Sequence, residues 1–172
     1  VAKRIALPLA PLPPSTTISR QRASLPVSDS LPVPSSPEET AVPLPTGAAL
    51  DLSILSVLME TIPDRIYFKD RQSRFVRVNQ ADARWHGIGS PDAVIGKTDY
   101  DLFAAVHADV AFAEEQEIIR TGVPMVAKVE KLTLKDGSIA WGSATKMAWR
   151  DATGRIIGTF GLTRDITATK IA

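Results

Sequence analysis

The side chains best suited to catalysis are few and lie in the second half of the chain. Asp99, Asp101 and His107 place two carboxylates near an imidazole, the groups that a small hydrolase would use. The sequence contains no cysteine, which excludes a thiolate nucleophile, a disulfide, a Cys-ligated metal and a cysteinyl–flavin photosensor. It also contains no phosphate-binding loop and no nucleophile elbow. These absences argue against an enzyme.

A second candidate is Glu115, which falls within the apolar stripe of a helix predicted over residues 104–121. That stripe consists of Ala104, Ala108, Ala111, Phe112, Ile118 and Ile119. A buried carboxylate needs a partner, and the predicted strands place Lys131 and Lys146 on the same side of a sheet. We predict a Glu115–Lys146 pair that lines or closes a pocket. The alternative is that Glu115 lies at the helix edge and stays hydrated.

The elements that position these residues follow from periodicity and turn residues. The sequence predicts a helix at 50–61, strands at 65–70 and 74–79, and short helices at 80–86 and from Ser90. The long helix then precedes strands at 123–135, 138–150 and 155–164, the first two joined by Asp136 and Gly137. This order predicts an α+β protein with an antiparallel sheet.

The N-terminal part of the chain has a different composition. Ten of the thirteen prolines precede residue 50, and this stretch has no Phe, Trp or Tyr. We predict that residues 1–49 form a disordered Pro/Ser-rich arm, with a ligand for a proline-binding domain as the alternative. Lys plus Arg number 20 against 19 Asp plus Glu, without long runs, so we expect no nucleic-acid partner. With no membrane-length apolar run and a leader-like start broken by prolines, we expect a cytoplasmic protein.

Five sequence words in this order resemble the PAS family. They are IPDRIYFKD at 62–70, FVRVN at 75–79, IGKTDYDLF at 95–103, the Asp136-Gly137 hairpin with Trp141, and the triplet Asp165, Ile166 and Thr167. The resemblance implies a five-stranded antiparallel sheet with a helical crossover between strands two and three. The PAS domain would cover 63–167, preceded by an amphipathic helix at 50–62 and followed by a tail at 168–172.

The resemblance also implies a role in signal transduction. PAS domains bind a small ligand or dimerise, and relay a conformational change to a partner protein. Asp165, Ile166 and Thr167 resemble the point where such domains enter an output helix. Only five residues follow, so output would pass through another signalling protein unless the chain is a fragment. The resemblance explains the Asp99 and Asp101 run as packing and capping, which leaves no catalytic residue. A ligand-free dimerisation scaffold is the alternative function.

The resemblance places a candidate ligand pocket between the helices and the inner face of the sheet. Its predicted residues are Asn79, Phe103, Phe112, Glu115, Gly142, Ala144, Lys146, Gly161 and Thr163. The small residues leave volume that a ligand or the helix side chains must fill. The cofactor stays unknown: haem could use His86 or His107, although a lone histidine is thin evidence for a metal, and flavin could use Asn79 and Thr163.

The outer face of the sheet predicts a homodimer. A two-residue turn at Asp136-Gly137 would place Lys128, Glu130, Leu132 and Leu134 on one face with Trp141 and Trp149, and the resemblance implies that this face is the outer one. Such an apolar face must be covered. The helix at 50–61 has an apolar arc wide enough to cover this face and contact a second copy. The predicted interface consists of Leu52, Leu55, Met59, Trp141 and Trp149. The alternative is that this helix sits deep in one molecule.

Overall fold

A computed structural model describes residues 43–172, so most of the predicted disordered arm at 1–49 lies outside the described residues. The helices are α1 (Gly47–Thr61), α2 (Gln80–Trp85), α3 (Asp99–Leu102), α4 (Ala105–Thr121) and α5 (Thr167–Ile171), with a 3-10 turn at Pro91–Val94. The strands are β1 (Arg65–Asp70), β2 (Phe75–Val78), β3 (Met125–Thr133), β4 (Ile139–Arg150) and β5 (Ile156–Asp165). The predicted tail at 168–172 is largely helical, as part of α5.

The strands form one antiparallel sheet in the order β2-β1-β5-β4-β3. The chain leaves the sheet at one edge, after β2, and returns at the other edge, as β3. Between these strands α2, α3 and α4 cross one face of the sheet. The predicted five-stranded sheet with a helical crossover is therefore confirmed.

Local signals in the sequence set the crossover helices. The Asn79 side chain accepts a hydrogen bond from the Asp82 amide and begins α2. The Asp101 carboxylate accepts one from the Thr98 amide at 2.8 Å and begins α3. At the end of α4, Gly122 has a φ of 73°, the left-handed conformation that favours glycine.

The β3–β4 turn differs from the prediction by one residue. The Leu134 amide donates to the Ser138 carbonyl at 3.0 Å, so residues 135–137 form a three-residue loop with Gly137 at a φ of 83°. A glycine in the left-handed conformation is favoured both in a three-residue loop of this kind and in a two-residue turn. The predicted register was therefore wrong.

The shift reverses the faces of β3. Leu132 pairs with Ala140, and Glu130 pairs with Gly142, which places both side chains on the inner face. Lys131 pairs with Trp141 and is exposed on the outer face. The predicted outer position of Glu130 and Leu132, and the inner position of Lys131, were wrong because a one-residue slip moves every side chain to the opposite face.

The helix α1 does not cover the outer face of its own sheet. Its last turn lies beside α2 and β2, where Met59 is buried. Leu52 is 67% exposed and Leu55 is 38% exposed. Only residues 62–64 separate α1 from β1, and this short link holds the end of α1 near the β2 edge of the sheet. The prediction that this helix covers the outer face was wrong. Met59, which was predicted at the dimer interface, is buried within one molecule.

Candidate functional site

A small cavity of about 30 Å³ lies between the inner face of the sheet and the crossover helices. That volume holds roughly two water molecules. Most of its lining side chains are polar or ionisable. The full lining consists of Arg65, Tyr67, Lys69, Phe75, Asp82, His86, Asp99, Phe103, His107, Ala111, Glu115, Glu130, Leu132, Lys146 and Thr163.

The central cation of the cavity is Lys69, on the inner face of β1 and only 1% exposed. Its Nζ donates to Asp99 Oδ2 at 2.5 Å and to Glu115 Oε1 at 2.7 Å. Burial alone would lower the pKa of Lys69, but the two carboxylates outweigh it and raise the pKa above its usual value. Burial raises the pKa of Glu115, and nearby Asp99 adds to that rise although Lys69 opposes it. One ammonium thus holds two buried carboxylates.

The predicted pair between Glu115 and Lys146 does not form. Glu115 is buried as expected, but its hydrogen-bond partner is Lys69. Lys146 instead donates to Glu114 at 2.8 Å and lies 3.7 Å from Glu130. The strand β1 alternates buried and half-buried residues, so Arg65, Tyr67 and Lys69 share the inner face. That alternation was the sequence signal that could have identified Lys69.

A second charged group lies where α4 faces β3 and β4. Glu114 contacts both Lys128 and Lys146, and Glu130 lies near the same two ammonium groups. Burial is the main cause of the raised pKa of Glu130, with Glu114 adding to it and Lys146 opposing it. Two lysines and two glutamates therefore form a second group of opposite charges beside the cavity.

Asp82 and the two histidines form the remaining polar wall. Burial raises the pKa of Asp82 to about 6, against the opposing effect of Arg65. Burial lowers the pKa of His86 and that of His107 to about 4, so both imidazoles are neutral at neutral pH. His86 Nε2 lies 3.8 Å from Asp82 Oδ1, too far for a hydrogen bond.

Four charged side chains of the cavity keep a polar atom without a hydrogen-bond partner among residues 43–172. These atoms are Arg65 Nε, Asp82 Oδ2, Glu115 Oε2 and Glu130 Oε1. Leaving a buried polar atom unpaired costs about 1–3 kcal/mol, and more for a charged group. Folded proteins pair nearly all such atoms, so this concentration around one cavity calls for a bound partner, either ordered water or a small ligand.

The structure brings four of the predicted pocket residues to the cavity: Phe103, Glu115, Lys146 and Thr163. Asn79 does not line it, because its side chain caps α2 and also donates to the Asp64 carbonyl at 2.8 Å. Phe112 is 40% exposed and points away from the lining. The predicted apolar stripe placed Phe112 on the buried side of α4, and it was wrong at this position.

The small residues of the sheet make room for side chains rather than for the cavity. A Cβ on Gly161 would lie 2.6 Å from Tyr67 Cε2, because the Tyr67 ring covers this glycine. A Cβ on Gly142 would lie 2.8 Å from Thr163 Cγ2. Ala144 is fully buried and is not part of the lining. The alternative prediction was that helix side chains fill this volume, but at Gly161 and Gly142 the side chains that fill it are Tyr67 and Thr163 of the sheet.

Both histidines line the cavity, although His107 is not among the residues of the apolar stripe predicted for its helix. Their rings flank Phe103, with centroids 5.1 Å away for His86 and 4.5 Å away for His107. A cavity of about 30 Å³ with charged walls does not fit the large apolar plane of haem, nor an isoalloxazine. Across residues 43–172, no cluster of three or more His, Asp or Glu side chains is arranged to hold a metal ion.

The cavity is linked to the C-terminal triplet through two side chains. The Arg65 guanidinium lies 3.9 Å from the centroid of the Trp85 ring, which is a cation–π contact. Trp85 Nε1 donates to Asp165 Oδ2 at 3.0 Å. The other Asp165 oxygen accepts from the Thr167 amide at 2.8 Å, at the start of α5. The triplet is therefore two contacts away from a cavity residue.

Within the described part of the chain, no helix has the length and apolar character that crossing a bilayer requires.

Comparison with known proteins identifies the family. The methanogenesis regulatory histidine kinase FilI of Methanothrix harundinacea (strain 6Ac) is 31% identical over 115 residues, covering 67% of this chain and 13% of FilI. The structure of VqmA bound to DPO has 29% identity and a TM-score of 0.58, covering 66% of this chain and 57% of that chain. The Vibrio cholerae VqmA dimer, in the absence of target DNA, has 30% identity and a TM-score of 0.60, covering 69% and 52%. The chain thus spans little more than half of these VqmA chains and a small part of FilI. Its residues 59–171 match the model of the PAS fold, and the chain belongs to the PAS fold family.

Proposed function

We propose that this PAS domain is a non-enzymatic sensor that binds a small polar molecule in the cavity and relays its presence to the C-terminal helix. The observation that supports this proposal best is the set of four unpaired charged atoms around one cavity. The likeness to a regulatory histidine kinase and to VqmA bound to DPO favours a sensory role. A molecule that pairs these atoms would stabilise the state that binds it.

The relay would run from Arg65 through Trp85 to Asp165. A molecule bound beside Arg65 would change the position of its guanidinium over the Trp85 ring. Because Trp85 donates to Asp165, a shift of the indole changes the contacts at the start of α5. We propose Asp165, Ile166 and Thr167 as the coupling residues on this basis, with another signalling protein as the recipient.

The experiment is to identify small molecules that co-purify with the chain by native mass spectrometry, and then to compare amide exchange with and without them. We expect slower exchange at Thr167–Ile171 when the cavity is occupied. Trp85→Phe keeps an aromatic ring over Arg65 but removes the indole N–H, so it should abolish this difference while binding persists. Identical exchange in the occupied and empty wild-type protein would refute the relay.

A second proposed function is self-association through the outer face and α1. On the outer face Leu162 and Met147 are each 37% exposed, and the apolar residues of α1 are largely exposed as well. Apolar side chains that stay exposed together favour an interaction site. Among the relatives, VqmA of Vibrio cholerae is a dimer. We propose a homodimer whose interface includes Leu52, Leu55, Trp141 and Trp149.

Two further expectations stay predictions. A cytoplasmic location is one of them. The other is that the chain does not bind nucleic acid. The Vibrio cholerae VqmA structure concerns a DNA-binding receptor, of which this chain covers only 52%. An electrophoretic mobility-shift assay at low salt, with duplex DNA of arbitrary sequence, would test whether the chain binds nucleic acid.

A further inference from the structure

The charges around the cavity do not balance. Its lining includes three cationic side chains, Arg65, Lys69 and Lys146, against four carboxylates, those of Asp82, Asp99, Glu115 and Glu130. The two neighbouring histidines add no charge at neutral pH. Fully ionised, the lining therefore has an excess of one negative charge. Buried charge is costly unless a charge of opposite sign pairs with it.

The unpaired atoms show the same bias. Three of the four are carboxylate oxygens, which accept hydrogen bonds, and only Arg65 Nε is a donor. The lysines are not free to bind an anion, because Lys69 is held by Asp99 and Glu115, and Lys146 is held by Glu114. A molecule that pairs these atoms must therefore supply more hydrogen-bond donors than acceptors.

The size of the cavity and its aromatic walls restrict the chemical class of the ligand further. Tyr67, Phe75 and Phe103 supply ring surfaces to the lining. Lys69 Nζ already lies 4.5 Å from the centroid of the Phe75 ring, so these walls accept a nitrogen cation. A volume of about 30 Å³ admits only a few non-hydrogen atoms.

We propose that the molecule recognised here is a small nitrogen cation with several N–H donors, of the guanidinium or primary ammonium class. Its positive charge neutralises the excess carboxylate, and its N–H groups pair Asp82 Oδ2, Glu115 Oε2 and Glu130 Oε1. This inference rests on the proposed function, since it names the chemical class that the sensor binds. It goes further because a neutral or anionic ligand would satisfy the sensor proposal equally well.

The test titrates the full chain with three probes at constant ionic strength and low millimolar concentration. Guanidinium chloride is the cation, urea is its neutral counterpart of the same shape, and sodium acetate is the anion. Chemical-shift changes in protein NMR report binding around the cavity. We expect guanidinium to bind about tenfold more tightly than urea, the gain of one charged hydrogen bond, and acetate not to bind. Equal or tighter binding of urea or acetate, or no binding of guanidinium, overturns the inference.

Matched variants show whether the carboxylates are responsible. Asp82→Asn should weaken guanidinium binding about tenfold while urea binding changes little. The control is Asp92→Asn, on the exposed 3-10 turn, which should change neither. Glu130→Gln provides a second variant with an unpaired oxygen if Asp82→Asn fails to fold. Equal loss for both probes overturns the proposed charge selection. A neutral molecule that co-purifies in the cavity would sustain the sensor proposal and refute this one.

Discussion

The two faces of the sheet reverse the usual distribution of side chains. The inner face, under the helices, buries Lys69, Lys146 and Glu130. The outer face carries Phe68 stacked on Phe160, with ring centroids 5.5 Å apart, and Trp149 edge-on to Phe68 at 5.4 Å. Charges are therefore placed inside the molecule, whereas a large aromatic surface is left half-exposed.

This difference indicates that each face lacks a partner of a different kind. A buried ion pair is seldom more stabilising than well-packed apolar residues of the same size. The inner charges are thus better explained by binding than by stability. The outer aromatic cluster has the opposite need, because apolar surface favours removal from water. We therefore expect small molecules to act on the inner face and macromolecules on the outer face.

The largest expected effect comes from removing the inner cation. Lys69→Met leaves Asp99 and Glu115 buried without their shared ammonium. We expect a loss of about 3–5 kcal/mol in the free energy of unfolding, measured by urea denaturation. The control is Lys97→Met, on the surface, which should change the stability by less than about 0.5 kcal/mol.

Adding Glu115→Gln to Lys69→Met should restore part of that loss, because it removes one of the two stranded negative charges. If Lys69→Met costs no more than the surface control, the inner ion pairs do not organise the cavity, and the contrast between the faces fails.

The next effect tests whether Tyr67 fills the space over the inner face. Gly161→Ala places a methyl group against the Tyr67 ring, which must then move. We expect a loss of about 1–3 kcal/mol from overpacking. Gly89→Ala is the matched control, since nothing lies within 4 Å of its added Cβ. Equal effects of the two substitutions in thermal or urea unfolding would contradict this packing.

The sequence predicts the fold better than it predicts the site. Strand alternation and turn residues locate all five strands, because each strand has one face that packs against helices. The β3 register was missed, since Gly137 fits a two-residue turn and a three-residue loop equally well. The burial of Glu115 was predicted because this residue falls within the apolar stripe of its helix. Lys69 was missed because a lysine in a short strand is typical of a surface, and its two partners come from distant parts of the chain.

The outer face gives a smaller effect on folding and a larger one on association. Leu162→Glu places a charge on the half-exposed aromatic surface. We expect self-association to weaken by about tenfold or more, as for a central interface residue, while the unfolding free energy falls by only about 1 kcal/mol because Leu162 is partly exposed. Light scattering at high micromolar concentration measures the association. The exposed substitution Gln72→Glu adds the same charge elsewhere and should leave it unchanged. A monomeric wild-type protein would remove the outer face as an interface.

A further effect is a dependence of stability on pH that comes from the inner face. Burial lowers the pKa of His107 to about 4, below its unfolded value of about 6.5, so the neutral imidazole stabilises the fold above pH 6.5. This stability is lost as the pH falls from 6.5 towards 4, by about 1–2 kcal/mol near pH 5. Asp82, whose pKa is raised to about 6, acts in the opposite direction in the same range. The comparison of wild type with His107→Gln cancels the Asp82 contribution. Urea unfolding at pH 7 and pH 5 should therefore show a smaller loss in the variant, and equal losses would mean that His107 is not buried in its neutral form.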